Sequence, residues 1–203
     1  MSVYYYKGAK ILAPLTIVSN EPMFDVDTVS LKKQRASQDV QRWELTFSTI
    51  GEPSTQADML LSSVVGINST DTMVMPQLPS IDSGNTLSVS GADLNAAANA
   101  GDTTIYLDND VQTGKALKGT FVKFSNHDKL YMLTNDVDFD LGGGNVTVNL
   151  YPKLRTSLVT TDSMRFGSDV VLTYYTSIDN QTGITFADGV LSNAGSISLI
   201  EAL

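Results

Sequence analysis

The chain is dominated by short segments in which apolar and polar residues alternate. Residues 39–48 show this pattern, with Val40, Trp43, Leu45 and Phe47 as the apolar members and a slip near Arg42. Because successive side chains of a strand point to opposite faces of a sheet, the pattern predicts a half-buried antiparallel strand. Similar patterns recur at 103–107, 121–124, 130–133, 146–150 and 170–175. Short strands at this spacing are typical of β-sandwiches and β-barrels.

Residues 54–65 show helical spacing instead. Their apolar members recur at intervals of three and four residues and are Ala57, Leu60, Leu61, Val64 and Val65. Ser54 or Thr55 is a suitable N-cap, and Gly66 is suitable after the last turn. The segment therefore predicts one amphipathic helix that packs on a sheet. The alanine-rich residues 92–100 stay undecided between turns and a short helix.

Two breaks in the pattern suggest how the chain is divided. Residues 75–85 combine prolines, serines and a glycine without periodicity, and a second break lies at about 160–167. The strand-rich ends are each too short to bury a core alone. We therefore expect a discontinuous domain formed by 1–85 and 168–203, and an inserted barrel-like domain at 86–167.

The amino-acid composition argues against several classes of function. The formal net charge is -9 at pH 7, and the longest basic run is the pair Lys32 and Lys33, whereas nucleic-acid-binding proteins present basic stripes. We therefore expect no specific nucleic-acid binding.

The absence of cysteine excludes disulfides and thiolate chemistry. No segment reaches the roughly 18–20 apolar residues that span a bilayer. Pro14 interrupts the apolar run at 11–15, which favours a strand over a signal peptide. We expect a soluble protein that is made in a cytoplasm.

His127 is the only histidine, so no histidine pair for zinc exists and any Ser-His-Asp relay would have to use it. It lies in the polar turn 125–128, where no nucleophile or orienting partner is evident. We interpret it as a turn residue rather than a general base.

Asp136, Asp138 and Asp140 alternate in the way that suggests a calcium loop. An EF-hand loop requires glycine at its sixth position and glutamate at its twelfth, but this chain has Leu141 and Thr147 there. We therefore expect three carboxylates on one solvated face of a strand end. The glycines at 142–144 indicate a hairpin rather than a phosphate-binding loop, since no lysine–serine pair follows.

The remaining candidates also have simple structural interpretations. Tyr4, Tyr5 and Tyr6 suggest an aromatic platform, but on a strand they point to alternate faces, so we expect a half-buried N-terminal strand. Lys153 and Arg155 suggest a small basic face, and a solvated strand end explains them equally simply. No pair of carboxylates is marked as catalytic. We expect no enzyme activity, no metal site and no cofactor.

Several segments together resemble a known family. They are residues 43–45 followed by Pro53 and the predicted helix, 119–124, His127, 129–131, 150–152, and the final residues 195–203. Their order and separations are similar to those of siphophage distal tail proteins, in the T5-like branch with an inserted OB-like domain. The positions that carry the likeness are Trp43, Leu45, Phe121, Phe124, Tyr131, Tyr151, Pro152, Glu201 and Leu203.

The resemblance implies a mainly β protein with a β-sandwich domain, one packed helix and an inserted OB-like barrel. It also implies a homohexameric adaptor ring at the distal end of the virion tail, assembled in the host cytoplasm. The implied partners are further copies of the chain, the tail tube protein, and the tail tip or hub protein, with fibres as another candidate. A second hypothesis is a barrel that binds glycans at the tail tip, or single-stranded nucleic acid, which the acidity disfavours. A hydrolase based on acidic pairs is the third.

Overall fold

The structure, a computed structural model, describes residues 4–27, 33–37, 40–49, 69–110, 112–141, 144–177, 185–187, 190–193 and 196–203. The predicted helix at 54–65 lies outside these residues. Within them the chain is mainly β, as expected, and its strands pair antiparallel. One short α-helix, α1 (Pro79–Gly84), lies in the segment where the sequence shows no periodicity, and one 3-10 turn spans Gly167–Asp169.

The described strands, in chain order, are as follows. The N-terminal part contains β1 (Tyr5–Tyr6), β2 (Ala9–Asn20), β3 (Met23–Asp27), β4 (Lys33–Ser37) and β5 (Arg42–Thr49). The middle contains β6 (Asp71–Val74), β7 (Gly91–Asp93), β8 (Thr104–Leu107), β9 (Lys115–Ala116), β10 (Phe121–Phe124), β11 (Leu130–Leu133), β12 (Val137–Asp138), β13 (Val146–Tyr151) and β14 (Ser163–Arg165). The C-terminal part contains β15 (Val171–Thr176), β16 (Thr185–Ala187), β17 (Val190–Asn193) and β18 (Ser196–Glu201).

The chain divides into two compact units. The central unit comprises Met1–Tyr4 and Thr72–Thr173, and the discontinuous unit comprises Tyr5–Asp71 and Tyr174–Leu203. The limits expected from composition, 1–85 and 168–203 around 86–167, stay predictions, as does a ring-forming role for one of the units.

The central unit is built around a curled six-stranded sheet with the order β7-β14-β10-β11-β13-β8. Its two outer strands meet, because Leu94 forms a bridge with Leu107 and the Asp108 N–H donates to the Asp93 carbonyl at 2.9 Å. The enclosed side chains form one apolar core, in which Phe124, Tyr131 and similar residues are almost fully buried. This arrangement fits a barrel-like domain, and its OB-like character stays a prediction. The undecided residues 92–100 contain the end of β7 and bridge residues rather than a helix.

Gln77 fills a gap in the hydrogen bonding of this sheet. Its side chain is 5% exposed, its Nε2 donates to the Phe121 carbonyl at 3.1 Å, and its Oε1 accepts the Phe121 N–H at 3.1 Å. One amide side chain thus pairs with the start of β10 as a neighbouring strand would. Buried backbone groups are expensive to leave without partners, so this contact contributes to the stability of the sheet.

We expect Gln77→Ala to lower the free energy of unfolding of the central unit by about 2–4 kcal/mol, because it removes two hydrogen bonds from buried backbone groups. Denaturant unfolding of the full chain measures the change. Gln112→Ala is the matched control, since Gln112 pairs in the same way with Val89, which is 40% exposed and reaches water more easily. Equal losses in the two variants would contradict this explanation.

In the discontinuous unit, β1, β2, β5 and β18 are neighbours in that order in one sheet, and Tyr174–Thr176 of β15 pair antiparallel with β18. In β5, Trp43, Leu45 and Phe47 are buried, which confirms the predicted half-buried strand. The prediction for Val40 is wrong: its side chain is 41% exposed, whereas Gln41 is 5% exposed. The alternation continues inward through Gln41, whose Nε2 donates to the Ser19 hydroxyl oxygen at 3.0 Å, and so a polar residue occupies an inward position.

The N-terminal tyrosines follow the expected alternation. In β1, Tyr5 is 58% exposed and Tyr6 is 3% exposed. The Tyr6 ring packs edge-on against Phe47 and also lies beside Tyr174, whose hydroxyl is buried without a hydrogen-bond partner among the described residues. Burial raises the pKa of the Tyr174 hydroxyl, with Tyr6 adding to the effect. A half-buried strand is therefore confirmed, and the three rings do not share one surface.

Candidate functional site

The turn between β10 and β11 carries a polar network that includes a titratable side chain. His127 Nε2 lies 2.8 Å from the Tyr131 hydroxyl, and His127 Nδ1 is hydrogen-bonded to Asn126 Oδ1. The imidazole stacks on Phe124 with a centroid distance of 5.8 Å. The Tyr131 hydroxyl oxygen also accepts the Arg155 N–H at 3.0 Å. We call His127, Asn126, Tyr131 and the Arg155 N–H the His127 cluster.

Burial is the main influence on the imidazole. It lowers the pKa of His127, and the neighbouring Asp162 opposes this effect to a smaller degree. Beside this turn, Lys123 Nζ on β10 forms an ion pair with Asp128 at 2.7 Å, and this hydrogen bond lowers the pKa of Asp128. Because both imidazole nitrogens are already engaged within the turn, the geometry fits the predicted turn role of His127.

The three aspartates after β11 hold a neighbouring loop. Asp136 Oδ1 accepts the Lys118 N–H at 2.8 Å, and Asp140 Oδ1 accepts the Gly114 N–H at 2.8 Å. Asp138 forms an ion pair with Lys115 at 2.7 Å. Their carboxylates therefore bind backbone and lysine donors of residues 114–118. Within the described part of the chain, no group of three acidic or histidine side chains has an arrangement that could hold a metal ion.

Along most of its length, the outer edge of β2 has no partner among the described strands. β5 pairs with β2 along one side, but β1 covers only Ala9 and Lys10 on the other. No other described strand pairs with β2 beyond Lys10. Leu12 and Val18 on this strand are 38% and 46% exposed. Unpaired strand edges are natural places for contact with another chain.

The edge of β2 is interrupted at its centre. Between the pairs Leu12–Ser48 and Thr16–Thr46 the register shifts, so that Ala13, Pro14 and Leu15 face a single residue of β5. The Ala13–Pro14 peptide bond is cis. Proline has no N–H to donate, so pairing with another strand is most favourable after this point, along residues 16–20.

The positions of the side chains give little support to a basic face at Lys153 and Arg155 or to a glycan-binding barrel. Lys153 and Arg155 are exposed and follow the end of β13, as expected for a solvated strand end. Among the described residues of the central unit, Tyr106 is the one clearly exposed aromatic side chain, at 47%. A glycan-binding barrel therefore stays a hypothesis.

The positions that carry the family resemblance are mostly buried. Trp43, Leu45, Phe121, Phe124, Tyr131 and Glu201 are each at most 5% exposed. Tyr151 and Pro152 are half-buried and joined by a cis peptide bond, and Leu203 is 41% exposed. Most of these side chains are therefore buried within the fold of the chain itself. Their roles in the assembled protein stay predictions.

Glu201 shows how one of these positions is used. Its Oε2 accepts the Trp43 N–H at 3.0 Å, across 158 residues of sequence. The carboxylate thereby ties the end of β18 to β5. The sequence marks this residue only by its likeness to the family, because a single glutamate at the end of a strand carries no local signal. The contacts of the Tyr131 hydroxyl and the Gln77 amide were not predicted either, because no local sequence signal marks them.

None of the helices in the described residues is long and apolar enough to cross a membrane.

Comparison with known proteins gives one finding. No curated protein matches the chain. Residues 83–170 match the family model described as "Distal tail protein pb9, B domain". The matched range contains every strand of the curled sheet, from β7 to β14, together with the His127 cluster and the three aspartates. The family is a structural one of phage tails rather than a known enzyme family. Residues 83–170, which make up most of the central unit, are therefore similar to the B domain of a phage distal tail protein.

Proposed function

We propose that the protein forms a homohexameric adaptor ring that joins the tail tube to the tail tip or fibres. The match over residues 83–170 is the observation that carries this proposal, because it indicates a distal tail protein. Its partners are then further copies of the chain, the tail tube protein and the tip or hub protein. The work of such a component is structural, and it is done without catalysis.

A closed ring requires that each subunit presents two different surfaces, one for each neighbour. The outer edge of β2 is suited to be one of these surfaces. The strand is long, because each of its residues, Ala9–Asn20, adds about 3.3 Å. Its side chains include exposed apolar groups, Leu12 and Val18, and the only charged side chain along the whole strand is Lys10. We therefore assign β2 to the subunit interface.

The ring is tested by light scattering after size exclusion, with negative-stain images of the main peak. We expect a mass close to six times that of the chain and rings with an open centre. Closed rings with another number of subunits would keep a tail role but contradict the hexamer. A strict monomer at high protein concentration would contradict a ring that forms without the tail tube.

Val18→Lys tests the assignment of β2. Lysine on an open strand edge opposes pairing with another chain, and a loss of about 1.4 kcal/mol per interface weakens association tenfold. We expect mostly monomer at concentrations at which the wild type forms rings. The monomer itself remains folded, because Glu44 lies directly across on β5 and offers the lysine an opposite charge.

Val159→Lys is the matched control, since Val159 is a 55% exposed valine of the central unit outside the proposed interface. It introduces the same charge and is expected to leave the rings intact. If Val18→Lys assembles as well as this control, β2 does not form the interface. If both variants dissociate, added positive charge rather than the strand edge is responsible.

A further inference from the structure

We propose that Tyr4, near the start of the chain, is a positioning residue of the central unit: it fixes the backbone of Gln77 and, through the Gln77 side chain, the start of β10. Tyr4 belongs to the central unit although 73 residues of sequence separate it from Gln77. Both residues lie outside the matched range 83–170. The proposal does not depend on ring assembly.

Residues 75–77 are the segment that Tyr4 holds. Met75, Pro76 and Gln77 are buried, although the sequence of this region shows no periodicity. The Met75 N–H donates to the Val170 carbonyl at 2.8 Å, and proline has no N–H that would need a partner. Because buried backbone groups are costly without partners, the N–H and carbonyl of Gln77 must also be satisfied for the segment to stay in place.

The Tyr4 hydroxyl satisfies both groups. The Gln77 N–H donates to the Tyr4 hydroxyl oxygen at 2.9 Å, and the hydroxyl donates to the Gln77 carbonyl at 3.3 Å. The directions are fixed by chemistry, because a backbone N–H only donates, a carbonyl only accepts, and a hydroxyl does both. One hydroxyl thus pairs with the backbone of Gln77 as a neighbouring strand would.

The side chain of Gln77 extends this constraint to β10. Its amide pairs with the N–H and the carbonyl of Phe121 at 3.1 Å each. A glutamine side chain loses much rotamer freedom when it is held in this way, and it can reach both groups only while its own backbone is fixed. The Tyr4 hydroxyl therefore supports the first residue of β10 through Gln77.

Amide hydrogen exchange of the full chain, measured by NMR, tests this connection. Tyr4→Phe removes the hydroxyl and keeps the ring, so only the two hydrogen bonds to Gln77 are lost. We expect the Phe121 amide to exchange about tenfold faster than in the wild type. Tyr5→Phe is the matched control, because it removes the same atom from the neighbouring residue, whose side chain is 58% exposed. The control is expected to leave the exchange of Phe121 unchanged.

Two further measurements separate positioning from a general loss of stability. The Leu150 amide, which donates to the Thr103 carbonyl at 2.8 Å, reports opening elsewhere in the curled sheet and is expected to respond less than Phe121. In Gln77→Ala the Phe121 N–H has already lost its acceptor, so the addition of Tyr4→Phe is expected to change its exchange by less than about twofold.

The proposal is overturned if Tyr4→Phe leaves the Phe121 amide unchanged or affects it no more than Tyr5→Phe does. It is also overturned if Leu150 responds as strongly as Phe121, since Tyr4 would then support the sheet as a whole. A full effect of Tyr4→Phe in the Gln77→Ala background would show that the hydroxyl acts by a route other than the Gln77 side chain.

Discussion

Replacing Gly114 by alanine is expected to prevent stable folding of the central unit. Gly114 has a φ of 89°, which lies in the region that residues with a Cβ rarely adopt. A Cβ at this position would also overlap the backbone carbonyl of Thr86. That carbonyl cannot move freely, because the same two segments are joined by the hydrogen bond from the Thr86 N–H to the Lys115 carbonyl at 2.9 Å.

Gly101→Ala is the matched control for this prediction. Gly101 has a φ of 96°, but a Cβ there would meet nothing within 4 Å. The control therefore measures the backbone conformation alone, at about 1–2 kcal/mol. Denaturant unfolding and the NMR spectrum of both variants make the comparison. A Gly114→Ala protein that is as stable as Gly101→Ala would show that the segment at Thr86 gives way easily.

The second large effect is expected for Phe124→Ala, with a loss of about 3–5 kcal/mol in the free energy of unfolding of the central unit. Phe124 is 1% exposed, and its ring packs edge-on against Tyr131 at a centroid distance of 5.4 Å. Its removal leaves a cavity beneath the β10–β11 turn that the surrounding strands cannot fill. Chemical denaturation of the full chain gives the change.

Phe124→Leu provides the control, because it keeps an apolar side chain of moderate size and is expected to cost about 1–2 kcal/mol. The alanine variant also removes the ring on which His127 stacks, so water reaches the imidazole and its titration midpoint moves up toward 6.5. A loss below that of the leucine variant would indicate that the turn collapses into the cavity.

Strand positions in the central unit follow closely from the sequence. The predicted strands at 121–124 and 130–133 coincide with β10 and β11. They were predictable because most of their apolar side chains are buried, so that each strand is a short apolar run bounded by turn residues. The error at Val40 has the opposite cause. Gln41 is buried through its hydrogen bond to Ser19, and a satisfied polar side chain can take an inward place that hydrophobicity alone assigns to its neighbour.

The polar contacts that hold loops together were not predictable. Gln77 binds the backbone of Phe121 across 44 residues, and Asp140 binds that of Gly114 across 26. The aspartates were expected on a solvated face, and in the structure their carboxylates accept hydrogen bonds from the loop at 114–118. Local patterns reveal which residues are polar but not which distant backbone groups they meet. The hydrogen bonds around His127 have the same character, since they involve Arg155 and Ser157.

The pairing of β18 with β5 also determines the order in which the two units can form during synthesis. Every strand of the curled sheet is complete once Arg165 has been made, whereas the bond between Trp43 and Glu201 spans 158 residues. At the roughly 5–20 residues per second of translation, β5 is made about 10–30 s before its partner. The central unit can therefore be folded while the discontinuous unit still lacks an inner strand.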